Sequence, residues 1–265
     1  MNYHFTSIKF TTENDVAVVE MNRPGKRNAL NDTLVKELNE VFTHLTKNQA
    51  IRAVILTGTG EAFCSGADLE YLKNISQYSV EENQEDSKRL MKMYQSIYEC
   101  RKPVIAMVNG PALAGGCGLA TVCDFIIASE EDAKFGYPEV KIGFIPAIVL
   151  IFLIKRIGEG KARELVLSGN IISTAEAKNI GLINQVTKGK NLREFTNLFV
   201  RDLIEKNSGT AMGLCKEMFA SFGNMDTKQS LEYAANLNAF ARMTDECKKG
   251  INSFLYKEKI KWNEP

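Results

Sequence analysis

Two glycine-bearing loops, each placed directly after an apolar strand, constrain this chain more than any other feature. The first is Cys64-Ser65-Gly66-Ala67-Asp68-Leu69, which follows the strand-like run Ala53-Val54-Ile55-Leu56. The second is Asn109-Gly110-Pro111-Ala112-Leu113-Ala114-Gly115-Gly116-Cys117-Gly118, which follows Val104-Ile105-Ala106-Met107-Val108. Each leads into a helix. On one reading, Gly66 and Gly110 only permit tight turns and Gly115-Gly116 only permits close packing. On the other, two such turns brought together aim two free backbone N–H groups at one oxygen, the arrangement that stabilises an oxyanion in acyl-group chemistry. Position favours the second reading, because Gly115 and Gly116 open a helix, where N–H groups lack partners and negative charge is favoured. The rival is a phosphate loop, but neither GxxxxGK[ST] nor GxGxxG occurs.

Charge and composition remove several other classes. With 33 basic and 32 acidic side chains the net charge is +1, so no global field points to nucleic acid or an anionic membrane surface. Two histidines, His4 and His44, are too few for a histidine-based metal site. The six cysteines form no CxxC pair and no zinc-like cluster. The N-terminal MNYHFTSIKF has no apolar signal core. The longest apolar run, residues 142–154, is broken by Gly143 and Pro146 and is too short for a bilayer. A reduced, cytoplasmic protein is expected.

Periodicity gives an α/β fold class. Residues 16–21 are β-rich and pair with residues 8–11 across Glu13-Asn14-Asp15. Asn31 caps a helix over residues 32–47, where Leu34, Leu38, Val41, Phe42 and Leu45 recur at helical spacing. Strands are predicted at 53–57, 104–108, 125–128 and 182–186, with helices over 70–100 and 115–123 between them. Ser173-Thr174-Ala175-Glu176 reads as a capping box, and Gly181 ends its short helix. Strands alternating with helices imply largely parallel pairing. After about residue 190 only helices are read, over 191–206, 209–222, 228–242 and 245–257. The chain divides into a core, residues 1–190, and a C-terminal helical region, residues 191–265.

Glu139 is the leading side-chain candidate. It stands in Phe135-Gly136-Tyr137-Pro138-Glu139-Val140-Lys141-Ile142-Gly143-Phe144-Ile145-Pro146, unlike an acid in a solvated charge run. Burial there raises its pKa toward the range of general acid–base work; an ion pair with Lys141 or Lys134 is the plainer alternative. Asp68 reads first as a helix cap, and Asp124 as a buried hydrogen-bonding residue. The cysteines near the loops have no histidine beside them in sequence to activate a thiolate. Arg23, Lys26 and Arg27 surround a Pro-Gly break, and Lys257, Lys259 and Lys261 are placed on the last helix. Both sets read either as basic surface or as contacts to an anionic, phosphorylated ligand.

These residues together resemble the crotonase, or enoyl-CoA hydratase/isomerase, superfamily, over nearly the whole chain. The resemblance rests on Asn22-Arg23-Pro24 with Asn28-Ala29-Leu30-Asn31, on residues 62–69, and on Lys102-Pro103-Val104. It continues through Asn109-Gly110, Ala114-Gly115-Gly116, Cys123-Asp124, Phe135-Gly136 to Glu139, residues 143–146 and Lys249-Gly250-Ile251. It implies a spiral of ββα turns with two roughly perpendicular sheets and a helical C-terminal region that assembles a homotrimer or a dimer of trimers. It implies an acyl-CoA thioester substrate, with coenzyme A arriving as part of it and no metal or other cofactor. By matching positions the N–H groups of Ala67 and Gly115 form the oxyanion hole. Residues 26–29, including Lys26, Arg27 and Ala29, line the CoA site with Ser65, Ala67 and Leu69, and Lys257 approaches the phosphates.

The chain departs from the two-carboxylate hydratases that it resembles. Their first Glu falls at Gly118, three residues after Gly115, while their second corresponds to Glu139. The segment after Pro146, Ala147-Ile148-Val149-Leu150, also lacks the Asp of other branches; residues 148–153 are expected to line an acyl pocket or an oligomer face. One acid leaves hydration, Δ3,Δ2-isomerisation or decarboxylation open, besides a non-catalytic acyl-CoA-binding role. The pattern around Gly116-Cys117-Gly118-Leu119 and residues 139–147 is nearest to methylglutaconyl-CoA hydratases, so hydration leads and isomerisation follows.

Overall fold

The hairpin that opens the fold forms where polar residues tolerate left-handed backbone. Asn14 and Asp15 take φ of 46° and 65°, and this two-residue turn matches the twist of flanking antiparallel strands. It joins β1 (Ile8–Glu13) to β2 (Val16–Met21), whose Ala17, Val19 and Met21 alternate into the core. A computed structural model describes residues 5–223 and 225–262; His4 lies outside them. In α1 (Asp32–Lys47) the Asn31 side chain accepts the Leu34 N–H, and Leu34, Leu38, Val41, Phe42 and Leu45 form its buried stripe.

The chain then runs through β3 (Ala53–Gly58), α2 (Leu69–Ile75), α3 (Val80–Tyr98), β4 (Val104–Val108), β5 (Ala112–Leu113), α4 (Gly115–Thr121) and β6 (Phe125–Ser129). It continues as β7 (Lys134–Gly136), α5 (Ala147–Ser168), β8 (Ile171–Ser173), α6 (Thr174–Asn179) and β9 (Gln185–Thr187). One sheet has the order β1-β2-β3-β4-β6-β9, and every pair after the hairpin is parallel. A second sheet, β5-β7-β8, pairs β5 with β7 in parallel and β7 with β8 antiparallel. Because β3 and β4 are parallel neighbours, the loops leaving their C-terminal ends emerge side by side. This topology brings the two glycine loops together.

Four helices follow: α7 (Leu192–Lys206), α8 (Gly209–Phe222), α9 (Thr227–Met243) and α10 (Asp245–Tyr256). Leu192, Val200 and Ile204 of α7 pack on Ile55, Ile105 and Ile127 of the first sheet, while α8, α9 and α10 pack on one another. Lys216 of α8 pins this group to the core through an ion pair with Asp124 and a bond to the Lys102 carbonyl. Among the described residues no helix is long and apolar enough to cross a membrane.

The sequence reading needs three corrections here. The last strand is only β9, because the Leu182 and Ile183 N–H groups turn back to the Ala177 carbonyl instead of joining a ladder. The helix expected over 115–123 stops at Thr121, where Arg156 donates to the Thr121, Cys123 and Asp124 carbonyls. Helix α10 ends at Tyr256, with Lys257 left-handed at φ 57°, so Lys257, Lys259 and Lys261 lie past it. The resemblance implied a second sheet, but its strands were not placed from the residues, because they span two or three residues each.

Close approach of the two loops depends on Gly116, where an added Cβ would stand 2.0 Å from the Cys64 carbonyl oxygen. Backbone cannot yield as a flexible side chain would. Gly116→Ala is expected to destabilise the fold by about 3 kcal/mol or more, at the upper end for overpacking, as read by urea denaturation; a loss below ~1 kcal/mol contradicts the close approach.

Candidate active site

A ladder of backbone bonds fixes the loop after β3. Leu30 N–H donates to the Gly66 carbonyl at 2.7 Å, Asp68 N–H to the Leu30 carbonyl at 2.9 Å, and Ser65 N–H to the Arg27 carbonyl at 3.1 Å. Gly66 takes φ +96°, a conformation that suits glycine. The buried Asn28 staples the turn before it, accepting from the Arg23 N–H and donating to the Thr59 and Ala62 carbonyls. The second loop is tied to the first. Cys64 N–H donates to the Pro111 carbonyl at 3.1 Å, and Leu113 N–H to the Cys64 carbonyl at 3.0 Å.

Among the N–H groups that these bonds leave unengaged are those of Ala67 and Gly115. Among the described residues none accepts from the Ala67 N–H, although both flanking ladder positions are used. Gly115 is the first residue of α4 and precedes the earliest intrahelical bond, from Gly118 N–H to the Ala114 carbonyl. Since α4 has only two turns, a helix dipole adds little at the Gly115 N–H.

Glu139 sits in a 3₁₀ turn, Pro138–Ile142, closed by Gly143 at φ +74°. Its side chain is buried and, among the described residues, its Oε2 has no hydrogen-bond partner. The alternative of an ion pair fails: among the described residues neither Lys141 nor Lys134 pairs with it. Burial raises the carboxyl above its ordinary range, opposed more weakly by a backbone hydrogen bond. The turn is anchored to α4: Tyr137 Oη and Thr121 Oγ1 share a 2.7 Å hydrogen bond, and Ala114 N–H donates to the Gly136 carbonyl at 2.8 Å.

The position of the absent second acid is occupied. An added Cβ at Gly118 would stand 2.1 Å from Val149 Cγ1 and 3.4 Å from Tyr94 Cε1. Tyr94 is fully buried, its Oη donates to the Gly115 carbonyl at 2.8 Å, and it feels the charge of Glu139. Tyr94 and Val149 were not singled out from sequence. The only signal for Tyr94 was its place on the apolar face of α3 with Met93 and Ile97.

The remaining sequence candidates divide. Asp68 caps α2 and pairs with Arg23 at 2.8 Å; burial opposes its charge, but Arg23 and the Glu70 N–H outweigh burial and hold the carboxyl below its ordinary range. Asp124 is half-buried and ion-paired, and it accepts the Val104 N–H. Burial pushes Cys64 to about 12, Cys117 to about 11 and Cys123 to about 12, which leaves no reactive thiolate at the loops. Lys26 and Arg27 are exposed on the turn beside Ser65, Ala29 is buried under it, and Leu69 is 83% exposed at the start of α2. Lys257 stands apart: among the described residues no hydrogen bond or ion pair joins it to these loops. Of residues 148–153, Val149 and Leu153 are buried, and Ile151 faces outward. A cavity of about 820 Å³ opens at the other end of α4, between α5 and α8, and so lies away from both donors. Among the described residues no group of three His, Cys, Asp or Glu side chains is placed to hold a metal ion.

Comparison with known proteins shows the family and the fold. Residues 11–265 match the family model described as enoyl-CoA hydratase/isomerase. The chain is similar to a Thermus thermophilus protein provisionally named an enoyl-CoA hydratase, 40% identical over 91% of this chain and 95% of that one. It is also similar to a crotonyl-CoA hydratase of Syntrophomonas wolfei, 33% identical over 96% and 97% of the two chains. The crystal structure of an enoyl-CoA hydratase of Mycobacterium smegmatis superposes with a TM-score of 0.90 at 28% identity, covering 98% of this chain and 100% of that one. The fold is the α/β crotonase fold.

A carboxyl whose pKa is raised on folding binds its proton more tightly in the folded chain. Its contribution to stability therefore falls as pH rises from the unfolded value, and the deficit is complete above the folded value. Glu139→Gln is expected to melt at the wild-type temperature below pH ~4 and above it near pH ~8, as read by differential scanning fluorimetry. A Tm difference that does not change with pH contradicts the raised pKa.

Proposed function

The chain belongs to the enoyl-CoA hydratase/isomerase family, and on that premise we propose that it hydrates an enoyl-CoA thioester. The observation that carries the reading is one buried carboxylate, Glu139, with an oxygen unpartnered among the described residues, whose charge reaches Tyr94, the residue that holds the Gly115 carbonyl. In this reading the thioester oxygen accepts from Ala67 and Gly115. Glu139 takes a proton from water, and the hydroxide adds to Cβ. The π electrons move through Cα onto the thioester oxygen, giving an enolate. Glu139 then returns its proton to Cα, so the net change is addition of one water. Burial supports both halves, since a carboxylate raised above its ordinary range is a stronger base. Each N–H donor contributes most in the transition state, when the oxygen charge is largest, and is worth about 3–4 kcal/mol by analogy with other oxyanion holes.

The names of the relatives favour hydration, and the sequence pattern points to a branched 3-methylglutaconyl-type substrate. A second reading, Δ3,Δ2-isomerisation, is favoured by Val149 and Tyr94, which close the place of a second acid beside Gly118. One carboxylate is enough to carry a proton between Cα and Cγ. Lys26, Arg27, Ala29, Ser65 and Leu69 are assigned to the CoA side of the cleft. Lys257 is assigned to the phosphates from a neighbouring subunit of a homotrimer or dimer of trimers. Exposed Phe219, Phe240, Met243 and Phe254 on α8 to α10 support such an assembly.

Incubation with crotonyl-CoA, 3-hexenoyl-CoA and 3-methylglutaconyl-CoA, with products identified by mass spectrometry, separates the readings. A gain of one water is expected, on the branched substrate above all. An isobaric product with a moved double bond supports isomerisation, and loss of carbon dioxide overturns both. Glu139→Gln is expected to lower kcat by about 10²–10⁴; wild-type turnover would remove Glu139 from proton transfer.

A further inference from the structure

Ala114 stands directly before Gly115 with φ 51° and ψ −128°. Alanine rarely adopts this backbone, which glycine takes freely. Such strain persists only where surrounding contacts over-determine it. They do so here from both sides. Leu113 N–H is held by the Cys64 carbonyl, Ala114 N–H by the Gly136 carbonyl, and the Ala114 carbonyl accepts from Gly118. On the far side, the Gly115 carbonyl is held by Tyr94 Oη. The ψ of Ala114 sets the plane of the 114–115 peptide, and hence the direction of the Gly115 N–H.

The methyl group of Ala114 has a second contact. A Cβ built on Gly66 would lie 2.9 Å from Ala114 Cβ and 3.1 Å from the Leu113 carbonyl oxygen. The methyl is thus seated against the bare face of Gly66, whose carbonyl carbon forms the peptide that carries the Ala67 N–H. It stands between the residues that precede the two donors. A glycine at 114 would relax the backbone, remove this spacer and let the 114–115 peptide rotate.

We infer that Ala114 is a positioning residue: its strained backbone and its methyl group, seated against Gly66, set the direction and spacing of the Gly115 and Ala67 N–H groups. The inference rests on the reading that these two groups receive the thioester oxygen. It assigns the strain a purpose, since a donor held in one direction needs no reorganisation when charge develops.

Two variants and one spectroscopic probe test it. The push–pull chromophore 4-dimethylaminocinnamoyl-CoA shifts its absorbance to the red when its thioester oxygen is polarised. With the wild-type protein a red shift on binding is expected. In Ala114→Gly that shift should shrink, and kcat should fall about 10-fold at nearly unchanged KM, with no fall in Tm because strain is released. Ala114→Ser retains Cβ and should recover most of the shift and of the rate. A glycine variant with the wild-type shift and kcat overturns the inference, as does a serine variant that loses as much as the glycine one. A wild-type protein that binds the probe without any red shift overturns the oxyanion reading itself, and the inference with it.

Discussion

The structure depends on two loops lying closer than any side chain would permit. Gly116 and Gly110 would place a Cβ 2.0 Å and 1.9 Å from the Cys64 and Glu61 carbonyl oxygens. That contact holds because β3 and β4 are parallel neighbours whose loops leave at the same sheet edge. Their polar backbone groups are then consumed by one another, Cys64 to Pro111 and Leu113 to Cys64, as buried backbone requires. Among the N–H groups that these bonds leave unused are those of Ala67 and Gly115. On the proposed reading, the site is built from donors that the loop contacts leave unused.

The charge properties of the site follow from the same packing. Glu139 hangs from a 3₁₀ turn bound to α4 through Tyr137 and Thr121, and so shares a frame with Gly115. Its carboxylate is buried without a cation, which raises its pKa. Asp68, the residue directly after the other donor, has Arg23 and a helix N–H and is shifted the opposite way. Of these two carboxylates near the loops, the surroundings lower the proton affinity of one and raise that of the other. Separation of this kind assigns acid–base roles. Val149 and Tyr94 close the space beside Gly118, and on the proposed reading the proton chemistry falls to Glu139.

Much of this was legible in the residues because it is local. The Asn31 cap and the stripe of α1 obey a period of 3.6, and the Ser173 to Glu176 capping box formed as read. Glu139 stood out because its neighbours are apolar. The resemblance carried the two donor positions, which no periodicity would have picked out. Features set by distant contacts were not legible. Phe135 pairs with both Ala112 and Ile172 in a sheet of two- and three-residue strands, too short to show alternation. Gly118 was seen as a missing acid, but not as a glycine required by Val149, since that contact depends on where α5 lies. The strain at Ala114 was invisible for the same reason: its φ is imposed by Cys64, Gly136 and Tyr94.

The most direct test of the account is a crystal structure of the protein with a non-hydratable enoyl-CoA analogue. The thioester oxygen is expected about 2.7–3.1 Å from both the Ala67 and the Gly115 nitrogens, with the Glu139 carboxylate facing Cα and Cβ of the acyl group. A thioester oxygen that meets only one of these nitrogens, or that is held by a side chain elsewhere in the cleft, would contradict it.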